Sequence, residues 1–473
     1  MAFTMAQGWG LVALYGAFAI WIARTYKMKT LTKENYLVAG RKLNSNEAAF
    51  SIAATWIWAP ALFVASQKAY LEGWVGLFWF TVPNIATLIL FAYFAQKVRN
   101  KYPKAFTLSS TMEKIHSPRV QKVYIASLGA LSICSFAVQL LAGGAVVQTL
   151  TGIPFILVTL VMAGIAIAYS YNAGLGASVR TDYLQMGIIG GVALFLVPYI
   201  VSVAGVDTLK AGLNGVTGSY NSLWAGDGGL VFWSFGITVT IGLLSGSFGD
   251  QAFWQRAYAT EKSQVKEAFI KGSLIFGVVP LAMSIFGFIG AGSGLVPNST
   301  QMVNVETVLA YLPSWTAIPF LFALLSGLIS TLDSCLCSVS SLAGEDLSKE
   351  SGHVIPNAKR AMIGLTILGL VLANIPNMQI LYLFLFYGTL RASTLIPTLL
   401  SIIGLENKKL RPTEAGMFYG IVIGLAIGLP VYLTGAFGSF AAGKWLGTLL
   451  TVSIPGLLAY LSSDNGYKRI FRG

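Results

Sequence analysis

The sequence is poor in charged residues, histidine and cysteine, and each scarcity excludes a class of protein. Charged residues make up 10% of the 473 positions, whereas a soluble domain carries about a quarter. His116 and His353 fall in predicted loops and belong to no catalytic constellation, so we predict that the chain is not an enzyme. The three cysteines, Cys134, Cys335 and Cys337, fall in apolar stretches, which argues against a disulfide framework or a metal site.

Apolar residues are abundant instead: 55% of the chain is hydrophobic, with a mean hydropathy of +0.70. Apolar stretches long enough to cross a bilayer recur from end to end, which predicts an all-α polytopic membrane protein. We predict thirteen spans, at residues 7–25, 48–71, 74–97, 123–150, 154–173, 181–203, 229–250, 271–293, 313–343, 361–376, 379–404, 414–435 and 443–462.

The net charge of +13 follows the predicted topology. Most of the 31 lysines and arginines fall on one side of the membrane when the N-terminus is placed outside, including the tail YKRIFRG at 467–473. This positive-inside pattern predicts a cytoplasmic C-terminus in a plasma membrane, or in an inner membrane if the source is bacterial. The basic excess adds weak attraction to anionic membrane lipid, and no nucleic-acid partner is expected.

Two predicted spans contain helix-breaking residues. The second span carries Pro60 at its middle, where the ring removes a backbone donor, and the seventh carries Gly242, Gly246 and Gly249. The two spans lie five apart and cross in opposite directions. Interrupted helices in corresponding positions of two inverted halves are typical of a transporter's binding site, although such residues also serve close helix packing.

This spacing predicts one membrane transport domain, 1–473, built from two repeats. The first repeat covers 48–203 and the second covers 229–404. The first span, 7–25, and the last two, within 414–462, are peripheral.

The ninth span contains the stretch LLSGLISTLDSCLCSVSS, Leu324–Ser341, with seven hydroxyl residues and Asp333. On a helix, most of these hydroxyls share one arc with Gly327, and Asp333 lies on the adjoining arc. Hydroxyl and carbonyl oxygens suit hard cations, but small hydroxyl residues also serve helix packing. An aspartate at membrane depth is costly, so the stripe favours a cation path.

Three motifs resemble the solute:sodium symporter family, which includes sodium/glucose, sodium/proline and urea symporters. SGLISTLDSCLCSVSS resembles the family's eighth core helix, TDYLQ at 181–185 its T-D-x-x-Q motif, and DQAFWQR at 250–256 its D-Q-x-x-x-Q-R signature. The resemblance implies a LeuT-type five-plus-five inverted repeat and sodium-coupled symport of a small polar solute by alternating access. TWIWAPAL at 55–62 is most similar to the urea permease branch, so urea is the first expectation.

The resemblance also implies two ion sites. The sodium ligands fall on the carbonyls of Ala53, Trp56 and Gly327 and on the hydroxyls of Ser330 and Thr331. An accessory site for a cation or a proton falls on Asp182, Asp333 and Ser334, so proton coupling stays open. The signature residues Asp250, Gln251, Gln255 and Arg256 are expected to be structural, with Asp250 bonded to Gln255 or Arg256, and Asp182 has an alternative role as a helix cap.

The solute is expected beside the interrupted helices. The candidate residues are Thr55, Trp56, Trp58, Gln67, Thr240, Ser245, Ser247 and Arg391. The tryptophans either form an aromatic wall for a flat solute or simply pack in the core. Arg391 lies at mid-membrane and needs a partner: either Asp182 or Asp333, or the carboxylate of an anionic solute or amino acid. Lys68 is expected to pair with Glu72.

Secondary transport is favoured over the other functional classes. A channel is disfavoured by the pair of interrupted helices, which indicates alternating access. A transporter-fold sensor or receptor is the alternative from another class. A proline-, acetate- or pantothenate-type symporter, coupled to sodium or protons, is the alternative within transport. The oligomeric state is left open.

Overall fold

A computed structural model describes residues 2–26, 28, 30–348 and 350–466 of the chain, so the basic tail at 467–473 lies outside the described residues. The described chain is helical throughout and forms no β-strand. Its α-helices are α1 (Met5–Thr25), α2 (Lys33–Val38), α3 (Ser45–Trp56), α4 (Ala65–Lys101), α5 (Leu108–Ile115), α6 (Pro118–Thr151), α7 (Phe155–Ala204), α8 (Val206–Ala211), α9 (Gly226–Val231), α10 (Ile237–Leu244), α11 (Gln251–Ala259), α12 (Val265–Gly292), α13 (Val303–Tyr311), α14 (Ala317–Asp346), α15 (Val354–Ala373), α16 (Ile380–Ile403), α17 (Glu414–Phe437) and α18 (Gly443–Leu461).

Polar caps fix where several of these helices begin. Thr4 and Gln7 form a reciprocal capping box at the start of α1, and Asn44 and Glu47 form another at the start of α3. The α6 helix begins at a proline directly after the capping hydroxyl of Ser117. Each cap satisfies backbone N–H groups that the first helical turn leaves without a partner.

Eleven helices in the described part of the chain are long and apolar enough to cross a membrane. Two of them are too long for a single crossing, since the 50 residues of α7 would extend about 75 Å against a hydrocarbon core of about 30 Å. The α7 helix contains a non-helical residue at Gly174 (φ 57°), and α4 contains one at Gly73 (φ 59°). Both glycines lie in or beside connections of the predicted topology. The count of thirteen stays a prediction.

The interruptions predicted in the second and seventh spans are confirmed. The α3 helix ends at Trp56, and a π-helical turn, Pro60–Val64, leads into α4. The α10 helix ends at Leu244, and turns at 245–249 separate it from α11. The two interruptions meet, because a Cβ on Gly246 would lie 2.3 Å from the Trp56 ring.

The polar ninth span is the most enclosed of the membrane helices. Within its apolar window 94% of residues are buried, against 28% for α1 and for α17. The α14 helix packs against α6, α7 and α15 and contacts α3 and α11. Its hydroxyl stripe therefore faces protein on all sides, at the point where the α3 interruption lies.

Candidate functional site

Asp182 lies at the centre of a buried polar cluster between α3, α7, α11 and α14. Its carboxylate accepts hydrogen bonds from the hydroxyls of Ser51 (2.5 Å) and Ser330 (2.6 Å) and from Nη2 of Arg256 (3.4 Å). The side chains of Asp182 and Arg256 are both fully buried. A buried ion pair is tolerated only where further hydrogen bonds satisfy its remaining polar atoms, and the two serines do so here. Asp182 is thus no helix cap.

Arg256 belongs to this cluster and does not clamp Asp250. Its Nε donates to Ser51 Oγ (2.9 Å) and its Nη2 to Ser334 Oγ (2.7 Å). Asp250 instead accepts the Ala252 N–H at 2.8 Å and caps α11. The predicted bond from Asp250 to Gln255 or Arg256 is therefore wrong, because the guanidinium turns toward the buried carboxylate of α7.

The two glutamines of the signature form hydrogen bonds to neighbouring segments. Gln251 donates from Nε2 to the Phe106 carbonyl and to Ser341 Oγ, both at 3.0 Å. Gln255 donates to the Cys337 carbonyl at 3.0 Å. Both side chains therefore tie α11 to α14.

Asp333 is a second fully buried carboxylate, and its partners are hydroxyl groups. It accepts from Tyr169 (2.5 Å), Ser178 (2.7 Å), Thr181 (3.3 Å) and Ser334 (3.3 Å). No basic group of the described residues lies within 4.0 Å of this carboxylate. The site therefore offers a carboxyl group and a shell of oxygen atoms, which suits a small cation or a proton.

Ser334 lies between the two carboxylate sites. Its hydroxyl accepts from Arg256, lies 3.3 Å from an Asp333 oxygen and lies 2.9 Å from Thr55 Oγ1. Ser334 thus contacts Asp333 directly and is linked to Asp182 through Arg256.

The predicted sodium site falls where α14 passes the α3 interruption. The Thr331 hydroxyl lies 3.1 Å from the Gly327 carbonyl and 3.3 Å from the Thr55 carbonyl. A Cβ on Gly327 would lie 2.9 Å from the Ile57 carbonyl, so glycine permits this approach. The Thr55 carbonyl of α3 and the Ile57 carbonyl directly after it therefore both lie against α14.

The two expected carbonyl ligands of α3 differ in availability. The Ala53 carbonyl already accepts the Ile57 N–H at 2.8 Å. The Trp56 carbonyl accepts no backbone hydrogen bond in the described structure, because its helical donor would be Pro60, which has no N–H. Free carbonyls and hydroxyls at one place fit the oxygen ligands that sodium prefers, although the Ser330 hydroxyl is bonded to Asp182 here.

On the other side of the interruption, four side chains form what we call the Arg391 cage: Trp56, Trp58, Tyr387 and Arg391. The two indole rings stack with centroids 5.0 Å apart. The guanidinium carbon of Arg391 lies 5.2 Å from the ring centroids of Trp58 and Tyr387 and 5.7 Å from that of Trp56. Arg391 pairs with neither Asp182 nor Asp333 in this structure; its Nε donates to the Gly242 carbonyl at 2.7 Å.

The other predicted solute residues are dispersed. Thr55 belongs to the ion cluster, and Gln67 donates to Thr300 Oγ1 at 3.0 Å, away from the cage. Ser247 bonds to Thr87 at 3.0 Å, Ser245 bonds to the carbonyl of Ile241 at 2.7 Å, and the Thr240 hydroxyl has no hydrogen-bond partner in the described structure. The predicted pairing of Lys68 with Glu72 is confirmed.

Comparisons with known proteins show the family and the fold of the chain. The family model described as Sodium:solute symporter family matches residues 36–424. A solved structure of a Na+-coupled sialic acid symporter, in a substrate-bound outward-open state, superposes with a TM-score of 0.78 at 18% identity, covering 96% of this chain and 97% of that one. This likeness shows the fold, which is the LeuT-type architecture expected from the sequence.

Two curated relatives differ in the ion and the solute that their names give. The urea-proton symporter DUR3 of Oryza sativa subsp. japonica is 24% identical over 91% of this chain and 66% of its own length. The sodium/pantothenate symporter of Haemophilus influenzae is 25% identical over 89% of this chain and 88% of its own length. The chain spans about half to two thirds of the length of the first urea-transporter relatives.

Proposed function

Because the chain belongs to the sodium:solute symporter family, a family of multi-pass membrane transporters and not of enzymes, we propose that it imports a small polar organic solute by alternating access, with sodium as the coupling ion. Membership implies a small solute and a coupling ion as the transported partners. The finer assignments, namely sodium, the solute, the plasma membrane and an outside N-terminus, are part of the proposal.

The observation that carries the proposal is the contact between the two interrupted helices. At that contact the α3 interruption has oxygen groups and a buried carboxylate on its α14 side and the Arg391 cage on the other. An ion and a solute bound there would share one stretch of backbone, Trp56–Trp58. Each would then stabilise the same conformation of that stretch, which is the physical requirement for coupling their binding.

Sodium is supported by the chemistry of the donor set. The hydroxyl of Thr331 and the carbonyls at the interruption are uncharged oxygen ligands, and Asp333 supplies a charge nearby. A proton is the alternative ion, since a buried carboxylate surrounded by hydroxyl groups also binds a proton. The names of the relatives include both kinds of coupling.

Urea is the first candidate solute because four relatives are named as urea symporters or transporters and because TWIWAPAL is similar to the urea permease branch. A carboxylate or amino acid is the second candidate, and Arg391 is the observation that favours it. The stacked tryptophans suit a flat molecule of either kind.

Uptake by purified protein in proteoliposomes tests the proposal. The solutes are radiolabelled urea, proline, acetate and pantothenate, each with an inward sodium gradient, an inward proton gradient or neither. We expect accumulation of at least one solute that is stimulated by one gradient, with protein-free liposomes as the control. Counterflow without any gradient provides a second readout, and absence of exchange for every solute would contradict transport and favour a sensor.

A further inference from the structure

Six charged side chains are buried in the part of the chain that the structure describes: Lys68, Arg99, Asp182, Arg256, Asp333 and Arg391. Four of them have suitable partners. Asp182 pairs with Arg256, and Lys68 pairs with Glu72. Arg99 donates to backbone carbonyls near the end of α4. Asp333 and Arg391 remain, one negative and one positive, and neither has an opposite charge within 4.0 Å among the described residues.

These two unmatched charges differ in how well the protein satisfies them. Asp333 accepts four hydroxyl hydrogen bonds. Arg391 is 2% exposed and donates from Nε only, while its Nη1 and Nη2 are buried with no hydrogen-bond partner in the described structure. Asp250, beside the second interruption, is the acidic residue whose charge acts on Arg391. In the described structure it forms no hydrogen bond or ion pair with the guanidinium within 4.0 Å and accepts the Ala252 N–H at 2.8 Å.

The rest of the Arg391 cage has the same shortage of acceptors. The indole nitrogens of Trp56 and Trp58 and the hydroxyl of Tyr387 are also buried without a partner in the described residues. Aromatic faces stabilise the guanidinium through cation–π attraction, but they do not replace hydrogen bonds in its plane. Each buried donor that stays unpaired costs about one to three times the free energy that an ordinary hydrogen bond contributes to stability. The cage is therefore suited to a ligand rich in acceptors.

The unpaired atoms define the chemistry of that ligand. Guanidinium and indole N–H groups only donate, and Tyr387 is the one member of the cage that also accepts. A carboxylate presents two coplanar oxygens that match the two Nη groups of an arginine. Urea offers one oxygen and four N–H groups, so as a neutral molecule with a single acceptor atom it cannot pair both Nη groups of Arg391 with negative oxygens.

We propose that the transported solute carries a carboxylate, which binds Nη1 and Nη2 of Arg391 while its flat group lies against Trp56 and Trp58. This inference rests on the proposed function and selects the second of its two candidate solutes, an organic anion, over urea. The coupling cation neutralises Asp333 as the solute neutralises Arg391. Both unmatched charges are then satisfied only when the ion and the solute are bound together.

Matched pairs of solutes test the charge requirement in proteoliposomes. The pairs are acetate with acetamide and pantothenate with its alcohol analogue, and urea is measured alongside them. The variants are Arg391→Gln, Arg391→Lys and Tyr387→Phe. Arg119→Gln is the control, because Arg119 is an exposed arginine that also contacts aromatic rings, at 4.0 Å from the Phe418 centroid, but lies far from the cage in the fold.

We expect the wild-type protein to exchange the carboxylate of at least one pair and to discriminate against its neutral analogue. Arg391→Gln should raise the half-saturating concentration of that carboxylate by about tenfold to a hundredfold, as expected for the loss of charge-assisted hydrogen bonds. Arg391→Lys should have a smaller effect, and Tyr387→Phe an effect of severalfold. Arg119→Gln should leave the value unchanged.

Exchange of urea or acetamide without exchange of any carboxylate would overturn the inference and leave the proposed function intact. Carboxylate transport by Arg391→Gln with an unchanged half-saturating concentration would overturn it as well. If Arg391→Gln does not reach the membrane, Arg391→Lys and Tyr387→Phe decide by the same criterion. No exchange of any solute by the wild-type protein would contradict the proposed function itself.

Discussion

Replacing Asp333 by asparagine removes a buried negative charge while keeping the size and shape of the side chain. The asparagine oxygen can still accept from Ser178, at 2.7 Å in the native structure, and its amide can donate to the hydroxyl oxygen of Tyr169, at 2.5 Å. The α14 helix should therefore keep its place against α7. The variant isolates the charge of the ion site from its packing.

The expected effect on ion binding follows from Coulomb's law. Two unit charges about 4 Å apart interact with about 4 kcal/mol at the effective dielectric constant of a protein, near 20. Losing that attraction weakens the affinity for a monovalent cation by about a thousandfold. We therefore expect Asp333→Asn to show no saturable stimulation by the coupling ion over the usual millimolar range.

The assay measures solute uptake against sodium concentration and, separately, against an imposed pH gradient. Asp346→Asn is a matched control on the same helix, because Asp346 is also a carboxylate held by hydroxyl and amide donors, from Thr107 (3.0 Å), Ser109 (2.5 Å) and Gln121 (3.1 Å). Asp346 lies at the end of α14, outside the ion cluster. This control should keep the ion dependence of the wild type.

Uptake by Asp333→Asn with the ion dependence of the wild type would refute the assignment of Asp333 to the ion site. Loss of ion dependence in both aspartate variants would show that α14 tolerates no loss of a carboxylate, and the effect would then be structural. Thermal unfolding of each variant in detergent separates these outcomes from simple instability.

Other substitutions test the sodium ligands, the contact between the interruptions and a pH-sensitive histidine. Ser330→Ala combined with Thr331→Ala should weaken sodium stimulation of uptake at least tenfold without loss of membrane insertion, measured as the half-saturating sodium concentration; unchanged sodium dependence would show that the site is misplaced. Gly246→Ala would bring a Cβ to 2.3 Å from the first tryptophan ring of the Arg391 cage and should lower the uptake rate about tenfold, whereas Gly364→Ala, which has nothing within 4 Å, should not. Burial lowers the pKa of His116 to about 4, below the value of about 6.5 in unfolded chains. Because the unfolded chain then binds the proton more tightly, the free energy of unfolding should fall by roughly 1–2 kcal/mol as the pH drops from 7.5 to 5. His116→Gln should remove this loss, and an equal fall in the melting temperature of both proteins would contradict it.

The interruptions were predictable from the sequence because their causes are local. Pro60 has no N–H, so the chain loses a helical hydrogen bond wherever the rest of the fold places it. The turns at 245–249 likewise coincide with the glycine- and serine-rich stretch SGSFG. The polar stripe of α14 was predictable too, since the helical period alone decides which residues share a face.

The register of the ion site was not predictable in the same way. Matching to the family placed the carbonyls of Ala53 and Trp56 at the site, which stays a prediction. The structure adds that the Thr55 carbonyl accepts from Thr331 and that the Ile57 carbonyl lies beside Gly327. Which carbonyl turns toward a neighbour depends on the backbone angles of the break, such as the ψ of 74° at Ile57. Those angles are set by packing between helices and not by the residue types.

Contacts between distant helices account for the remaining differences. Tyr169, Ser178 and Thr181 surround Asp333. None of them was predicted as an ion-site residue, although Thr181 belongs to the T-D-x-x-Q motif. Ser178 and Thr181 lie within a turn of Asp182 on α7, so a helical projection of the T-D-x-x-Q region could have suggested them. Arg256 forms its ion pair with Asp182 and not with Asp250 because of where α11 lies relative to α7. No local sequence pattern predicts that placement.

The two unmatched buried charges also determine the electrical character of transport. One monovalent cation at Asp333 together with one carboxylate at Arg391 adds no net charge to the carrier, so its loaded form would cross without producing a current. The membrane potential supplies about 2.3 kcal/mol per 100 mV for each net charge moved. Transport of a neutral ion–solute pair moves no net charge, so the potential contributes no energy to it. Accumulation would then depend on the concentration ratio of the cation alone, whereas a cation carried with urea would produce a measurable inward current.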